Sequence, residues 1–407
     1  MSKIVKAKGT AGSNRTLHLI SLNHATNDAS VALLPTLYPV VLSLFGISLF
    51  QLGILVAAMY VTNVICQPIT GQYSQRFEPR ILLPAGIGLM AFSMVMLIFS
   101  TSFPTLLFSA IVLRIGSSFF HPVGISTVSK SYSGQKLDKS MGFQSAFGNF
   151  GIFAVFLVGA PIYFRFGWSA PFLIFVALDA FVALITFAKL GNVQSISNRS
   201  QKHDSKPNQR FLVSLPLFFL VGTFISGGAN AVVMNYGNIL LERSNFTITQ
   251  ADLLIAAWIG FAFIGAFYTG AMTRRLARGK VLISFYVIAS VSVLSFSVFT
   301  NNLGIVVVSL LANGFAVAVT YPVIYSELAS FLGPESDKTG AAFGVILSSQ
   351  IIGSAVMGFF TGYVSGILGL SFSFEITALL LIVAALAAFI WKRKQGSFPL
   401  AGNPKIL

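Results

Sequence analysis

Apolar residues in this chain come in runs of a length that suits a membrane-spanning helix, about 20 residues, and short polar breaks separate most of them. Twelve runs can be laid out, starting near Leu17, Ser48, Arg80, Phe103, Met141, Trp168, Phe211, Thr249, Val281, Leu303, Thr339 and Ser371. The pattern predicts an all-α polytopic membrane protein with 12 transmembrane helices, and it leaves no stretch for a soluble domain of useful size. Composition agrees. Hydrophobic residues make up 55% and charged residues 9%, with 40 Phe and a mean hydropathy of +0.82, whereas soluble domains carry about 25% charged residues. Cys66, the single cysteine, falls inside the second run. Neither a disulfide framework nor a thiolate metal cage is available, and no cofactor is expected.

The net charge of +15 raises the question of nucleic acid, and the positions of the basic residues answer it. They fall in alternate loops. Lys3, Lys6, Lys8 and Arg15 precede span one, Arg76 and Arg80 follow span two, and Lys130, Lys136 and Lys139 follow span four. Lys189, Arg199, Lys202, Lys206 and Arg210 lie between spans six and seven; Arg274, Arg275, Arg278 and Lys280 follow span eight, and Lys392, Arg393 and Lys394 close the chain. The opposite loops hold little beyond Arg165 and Arg243. By the positive-inside rule both termini and the middle linker are expected in the cytoplasm, with the chain in the cell (inner) membrane. Contact with anionic lipid headgroups would use the same residues. The apolar run behind the basic N-terminus is too long for a signal-peptide core, so no cleavage is expected.

A shift of about 200 residues superposes the two halves of the sequence. Phe45-Gly46-Ile47-Ser48 resembles Phe246-Thr247-Ile248-Thr249, and the loop Gly71 to Arg80 resembles Gly270 to Lys280. His121-Pro122-Val123 resembles Tyr321-Pro322-Val323, and Phe166-Gly167-Trp168 lies opposite Leu368-Gly369-Leu370. The expected organisation is an N-terminal six-helix half (1–190), a polar cytoplasmic linker (191–210) and a C-terminal six-helix half (211–407). Six spans and six more in parallel repeat is the architecture of the major facilitator superfamily, whose halves rock about a midplane site.

Particular residues point to a narrower family. Span one reads Ser21-Leu22-Asn23-His24-Ala25-Thr26-Asn27-Asp28, then Leu37-Tyr38-Pro39, and span two ends Gln67-Pro68-Ile69-Thr70-Gly71-Gln72-Tyr73. Span four carries Gly116-Ser117-Ser118-Phe119-Phe120-His121-Pro122, and span five Phe143-Gln144 and Gly148-Asn149-Phe150-Gly151. The first five spans resemble the fosmidomycin resistance protein family, which implies proton-coupled export of a drug-like compound; the C-terminal half shares only the general superfamily pattern. The chain also departs from the expected motifs. Gln75 and Arg274 stand where the superfamily's loop motif has Asp, and Val123 follows the His-Pro of span four where the resemblance implies an acidic residue.

Asp28 is the candidate that matters most, because an ionisable group at mid-membrane costs roughly 2.5 kcal/mol or more. Counted from the cytoplasmic ends at about 1.5 Å per residue, Asp28 lies roughly 18 Å deep, between His121 at about 15 Å and Arg114 at about 25 Å. Arg114 and His121 share one face of span four, and His24 shares a face with Asp28. A carboxylate near an imidazole and a guanidinium suits proton-linked exchange: Asp28 as carrier, His121 as its neighbour, Arg114 as charge partner or anion anchor. Three other readings stay open. Asp28 and Arg114 can form a buried structural pair, His121 can be a kink residue bonding a carbonyl that Pro122 frees, and His24, Asp28 and His121 can ligate a divalent metal.

Candidates for substrate contact are His24, Asn27, Tyr38, Gln144, Asn149, Asn230, Tyr236, Tyr321 and Gln350, with Ser348 and Ser349 beside the last. Asp179, midway along span six, reads as packing or snorkelling, and Asp252, Glu327 and Glu375 as interfacial. Gly358, Gly362 and Gly366 at four-residue spacing read as packing within one bundle, so a monomer is expected. No catalytic triad, phosphate loop or metalloprotease motif lies on a loop long enough to hold it, so the chain does not read as an enzyme. The function expected is proton-coupled antiport of a small drug-like or anionic compound by alternating access. The alternatives are metabolite uptake by proton symport, divalent metal export, and a non-transporting receptor or scaffold.

Overall fold

The computed structural model describes residues 14–74, 76–132, 134–190, 215–332 and 339–397. The linker 191–210, Gln75 and the basic residues before Asn14 lie outside the described residues. Fourteen helices make up the described chain: α1 (Asn14–Thr36), α2 (Tyr38–Leu44), α3 (Leu49–Tyr73), α4 (Pro79–Ile98), α5 (Phe103–Ser117), α6 (Phe120–Ser131), α7 (Gly134–Phe166), α8 (Ser169–Lys189), α9 (Leu217–Arg243), α10 (Ile248–Arg275), α11 (Arg278–Val298), α12 (Leu303–Leu332), α13 (Thr339–Leu368) and α14 (Leu370–Ser397). Eleven spans pass as long and apolar enough to cross a membrane, with α5 and α6 counted as one. The twelfth is α1–α2, which its own Asn, His and Asp residues make too polar to qualify by composition. The helix of the seventh span begins at Leu217, after Leu215 and Pro216 outside any helix; Phe211, where hydropathy starts this span, lies outside the described residues.

Turn and cap geometry shows the sequence repeat as structure. Ser48 and Thr247 each cap the next helix in a capping box, with Gln51 and Gln250 reaching back. Two residues earlier, Gly46 (φ 60°) and Asn245 (φ 70°) take the left-handed conformation, which Gly and Asn tolerate best. Gly167 (φ 83°) and Gly369 (φ 88°) mark the turns before α8 and α14. The first pair corrects the register read from the sequence by two residues: Ser48 corresponds to Thr247, not Thr249. Because Asn takes the place of Gly at the turn, the match was hidden.

Glycines set how closely the helices approach. On α7, a Cβ at Gly151 would overlap the Ala25 carbonyl of α1, and one at Gly159 would meet Thr36 Oγ1 at 2.6 Å. On α13, a Cβ at Gly353 would overlap the Phe224 carbonyl of α9, which reproduces the α1–α7 contact in the second half. Gly358 and Gly362 pack on α3, against Val56 and against Leu49 and Gly53, whereas nothing lies within 4 Å of a Cβ at Gly366. Two of the three stripe glycines therefore pack between the halves within one chain.

Polar pairs enclose α1 on another side. Asn23 Nδ2 donates to Thr186 Oγ1 at 2.7 Å and Ser30 Oγ to Asp179 Oδ1 at 2.9 Å, which ties α1 to α8. Asp179 is 0% exposed, as is Asp252. Both are enclosed by protein, Asp179 in the packing of α1 on α8 and Asp252 near the start of its helix, because each carboxyl has a neighbouring-helix donor to turn toward. At the end of the bundle that carries the described chain termini, Trp391 Nε1 donates to Glu327 Oε1 at 3.2 Å, and Arg278 approaches Glu327 at 3.8 Å.

Gly151→Ala forces α1 and α7 apart and is expected to cost about 1–3 kcal/mol, read as a lower thermal unfolding midpoint in detergent. Gly366→Ala, with open space around it, is expected to leave the midpoint unchanged or slightly raised. Equal midpoints for the two variants would contradict the packing described.

Candidate functional site

α1 crosses the bundle interior beside α6 and α7, and this crossing brings three of the predicted residues together. His24 Nε2 lies 3.2 Å from Asp28 Oδ2, one helical turn away. His121, at the start of α6, places its ring edge-on to His24 with centroids 5.4 Å apart. One ligand atom from each of His24, Asp28 and His121 lies within 4.8 Å of the others. Phe120 stacks on the His24 ring with centroids 4.4 Å apart. Gly148 of α7 makes the room, since a Cβ there would stand 2.6 Å from His24 Nε2 and 2.7 Å from Asp28 Oδ2.

Hydrogen bonding fixes the chemistry of the pair. His24 Nδ1 lies 2.8 Å from the main-chain oxygen of Gln144. A carbonyl only accepts, so Nδ1 carries a hydrogen and Nε2 is left to face the carboxyl. A hydrogen bond between Nε2 and Oδ2 then needs one proton, whichever atom holds it. Remove that proton and two lone pairs face each other; supply it and the pair is neutral overall. Asn27 Nδ2 donates to the other carboxyl oxygen, Oδ1, at 2.8 Å. Asp28 and His24 are 17% and 8% exposed at their side chains, so the pair is largely enclosed.

Arg114 occupies a separate position, on α5 ahead of the α5–α6 break. Its guanidinium lies over the Tyr60 ring at 5.1 Å, and Nε is buried with no hydrogen-bond partner among the described residues. Around it stand Val31 and Pro35 of α1, Met59 of α3, and Met234 and Asn235 of α9. The close partner of Asp28 is therefore His24, and Arg114 takes an aromatic face instead. Ser118 and Phe119, where α5 passes into α6, keep right-handed helical angles, so Arg114 and His121 stay on one span, and the Tyr60 ring of α3 is what Arg114 meets there. In the second half α12 runs unbroken through Pro322.

A second group of predicted residues meets at the join of the halves. Asn149 of α7, Asn230 of α9 and Tyr321 of α12 line a cavity of about 220 Å³ together with Trp258, Phe263 and Pro322. Asn149 and Phe263 also line an apolar groove between α7 and α10, with Phe147, Phe150 and Phe153. Tyr321 is anchored by its hydroxyl, which donates to the Ser226 carbonyl at 2.9 Å.

The remaining candidates are engaged in packing. Tyr236 is fully buried and donates to the Gly358 carbonyl at 2.6 Å. Tyr38 is fully buried with its hydroxyl 3.7 Å from Met59 Sδ. Gln350 accepts from Tyr325 at 2.9 Å, and Ser349 donates to the Leu220 carbonyl of α9 at 2.9 Å. Gln144 contributes its main chain to His24 while its side chain donates to Ser145 at 3.0 Å. The sequence assigns no role to Tyr60, nor to Phe120 and Gly148, which it offers only as part of the family resemblance. An aromatic or a glycine in an apolar run has no signal of its own; Gly148 gains one only once α1 is known to pack on α7.

The Major Facilitator Superfamily family model matches residues 20–247 and 218–405 of this chain. A fosmidomycin resistance protein of Escherichia coli (strain K12) is 24% identical over 390 residues, covering 92% of this chain and 92% of that protein. The vesicular acetylcholine transporter of Rattus norvegicus is 27% identical over 139 residues, covering 34% of this chain and 26% of that protein. Among solved structures, a bacterial homologue of the human lysosomal transporter Spinster, in an inward-facing and unoccupied conformation, superposes with a TM-score of 0.81 at 16% identity, covering 95% of this chain and 99% of that one. A nucleoside transporter superposes with a TM-score of 0.79 at 15% identity, covering 93% and 99%. The chain belongs to the major facilitator superfamily and is a membrane transporter, not an enzyme.

Proposed function

We propose that this transporter exchanges protons for a small amphiphilic or anionic compound and exports it by alternating access, with both termini in the cytoplasm and the chain in the inner membrane. The observation that carries this reading is the single-proton contact between His24 Nε2 and Asp28 Oδ2, set by the Gln144 carbonyl on Nδ1. A site with room for one proton changes its charge by one unit when that proton leaves, and in an apolar bundle such a change is large enough to shift a conformational equilibrium. His121 beside the pair offers a relay position. Arg114, stacked on Tyr60 with a free Nε, is the anchor for an anionic group, and Asn149, Asn230 and Tyr321 hold the neutral polar part of the cargo. The name of the Escherichia coli relative supports export of a drug-like compound, and the placement of basic loops supports the orientation.

One observation favours a second reading. His24, Asp28 and His121 converge closely enough to begin a ligand set for a divalent metal as cargo. A ring nitrogen tied to a backbone carbonyl, as His24 Nδ1 is, is the usual outer support of a metal-binding histidine.

Both readings meet one assay, with the protein in liposomes loaded with a pH-sensitive dye and challenged with phosphonates, sugars, amino acids and divalent metals. An organic cargo is expected to drive proton movement in the normal protein, and Asp28→Asn to abolish it. Equal proton movement in Asp28→Asn would remove Asp28 as the carrier, and a response to metals alone would favour the second reading. Asn230→Ala is expected to raise KM by roughly 2- to 12-fold, the worth of one hydrogen bond, with protons moved per cargo unchanged. An unaltered KM would take the cavity at Asn149, Asn230 and Tyr321 out of the cargo path.

A further inference from the structure

Asn238 of α9 joins the two halves through a carbonyl that the sequence leaves without a helical partner. In a continuous helix the Pro35 carbonyl would accept from the N–H four residues on, but that residue is Pro39, which has none. The helix breaks at Leu37. The Pro35 carbonyl is satisfied from the other half instead: Asn238 Nδ2 donates to it at 2.8 Å and gives its second hydrogen to Asp252 Oδ1 of α10 at 3.0 Å. Both side chains are 0% exposed, and Asp252 Oδ2 and Asn238 Oδ1 have no partner among the described residues. The three residues lie at the end of the bundle opposite the described chain termini, where Gly53 and Val56 also pack on Gly358 and Gly362.

The carboxyl of Asp252 is poorly placed to be an ion while this contact is closed. Its hydrogen bond comes from a neutral amide, water is excluded, and a buried charge without a counter-ion is strongly disfavoured. The helices packed on α10 bring few charges to this end. Glu242 and Arg243 on α9 and Arg165 on α7 are exposed, and none forms an ion pair with Asp252 among the described residues. α1 from Ala29 onward, α2 and the first turns of α12 carry no charged residue. Tyr38, the titratable group on α2, turns its hydroxyl to Met59.

We propose that Asn238 and Asp252 form a proton-operated latch. With Asp252 protonated, Asn238 holds Pro35 and the halves stay closed at this end; loss of that proton to the solution on this side favours opening. Asp252 is then a second proton site, in the half that lacks the His24–Asp28 pair. The proposal rests on alternating access, but neither on Asp28 as carrier nor on the identity of the cargo.

The test places spin labels on the full chain at Thr101→Cys and Asn301→Cys, exposed positions in the loops before α5 and α12, in a Cys66→Ser background in lipid. Pulsed electron resonance then reads their separation between about pH 5 and pH 8. The long-distance population is expected to rise at least threefold with pH, to stay low at every pH in Asp252→Asn, and to be high at every pH in Asn238→Leu. Pro39→Ala, which gives Pro35 an intrahelical donor, is expected to raise it as well and serves where Asn238→Leu does not fold. Asp252→Asn separates this titration from that of His24, Asp28 and His121. A titration in Asp252→Asn equal to that of the parent overturns the latch while leaving alternating access intact. A single distance in every variant at every pH overturns both.

Discussion

A helix as polar as α1 cannot face lipid, and the bundle is arranged around that constraint. Within the hydrocarbon region each unsatisfied polar group costs several kcal/mol, so α1 needs partners on all sides. α7 approaches it through Gly148, Gly151 and Gly159, close enough for the Gln144 carbonyl to reach His24. α8 supplies Thr186 and Asp179, and α9 supplies Asn238 where the helix breaks. The same enclosure keeps His24 and Asp28 mostly out of water, which in the proposed exchange gives a proton shared between them its leverage.

The two halves share a scaffold but not a chemistry. The close approach of Gly151 to Ala25 is repeated by Gly353 and Phe224, and in that register Asp28 corresponds to Gly227, which packs against the Gln350 main chain. His121 corresponds in sequence to Tyr321, whose hydroxyl is tied to a carbonyl. Titratable chemistry at mid-depth therefore belongs to the first half, and the second offers neutral donors and acceptors. In the proposed exchange, such a division lets the proton and the cargo act on one equilibrium without competing for the same side chains.

Much of this was legible in the sequence, for identifiable reasons. Runs of about 20 apolar residues are nearly sufficient to place spans, and the repeat survived in turn residues because caps and left-handed turns accept few residue types. His24, Asp28 and His121 were legible as a group because mid-membrane charge is rare. The contact of Arg114 with the Tyr60 ring was not legible, because an aromatic on a neighbouring span gives no signal in one sequence. Tyr38 and Tyr236 looked like cavity residues, but which face of a helix meets a neighbour is set by packing that one sequence does not disclose. The importance of Asp252 was hidden because its partner, Asn238, lies on another helix, and because the Pro35 carbonyl becomes an acceptor only through what Pro39 lacks.

Nitrogen NMR of His24 in lipid bilayers, assigned by its loss in His24→Gln, tests the single-proton pair most directly. The Gln144 contact predicts a hydrogen on Nδ1 throughout a titration across the range where histidines change charge, about pH 5 to 8, with Nε2 gaining or losing the one shared proton opposite Asp28. A ring that carries its only hydrogen on Nε2, with Nδ1 bare, would contradict it.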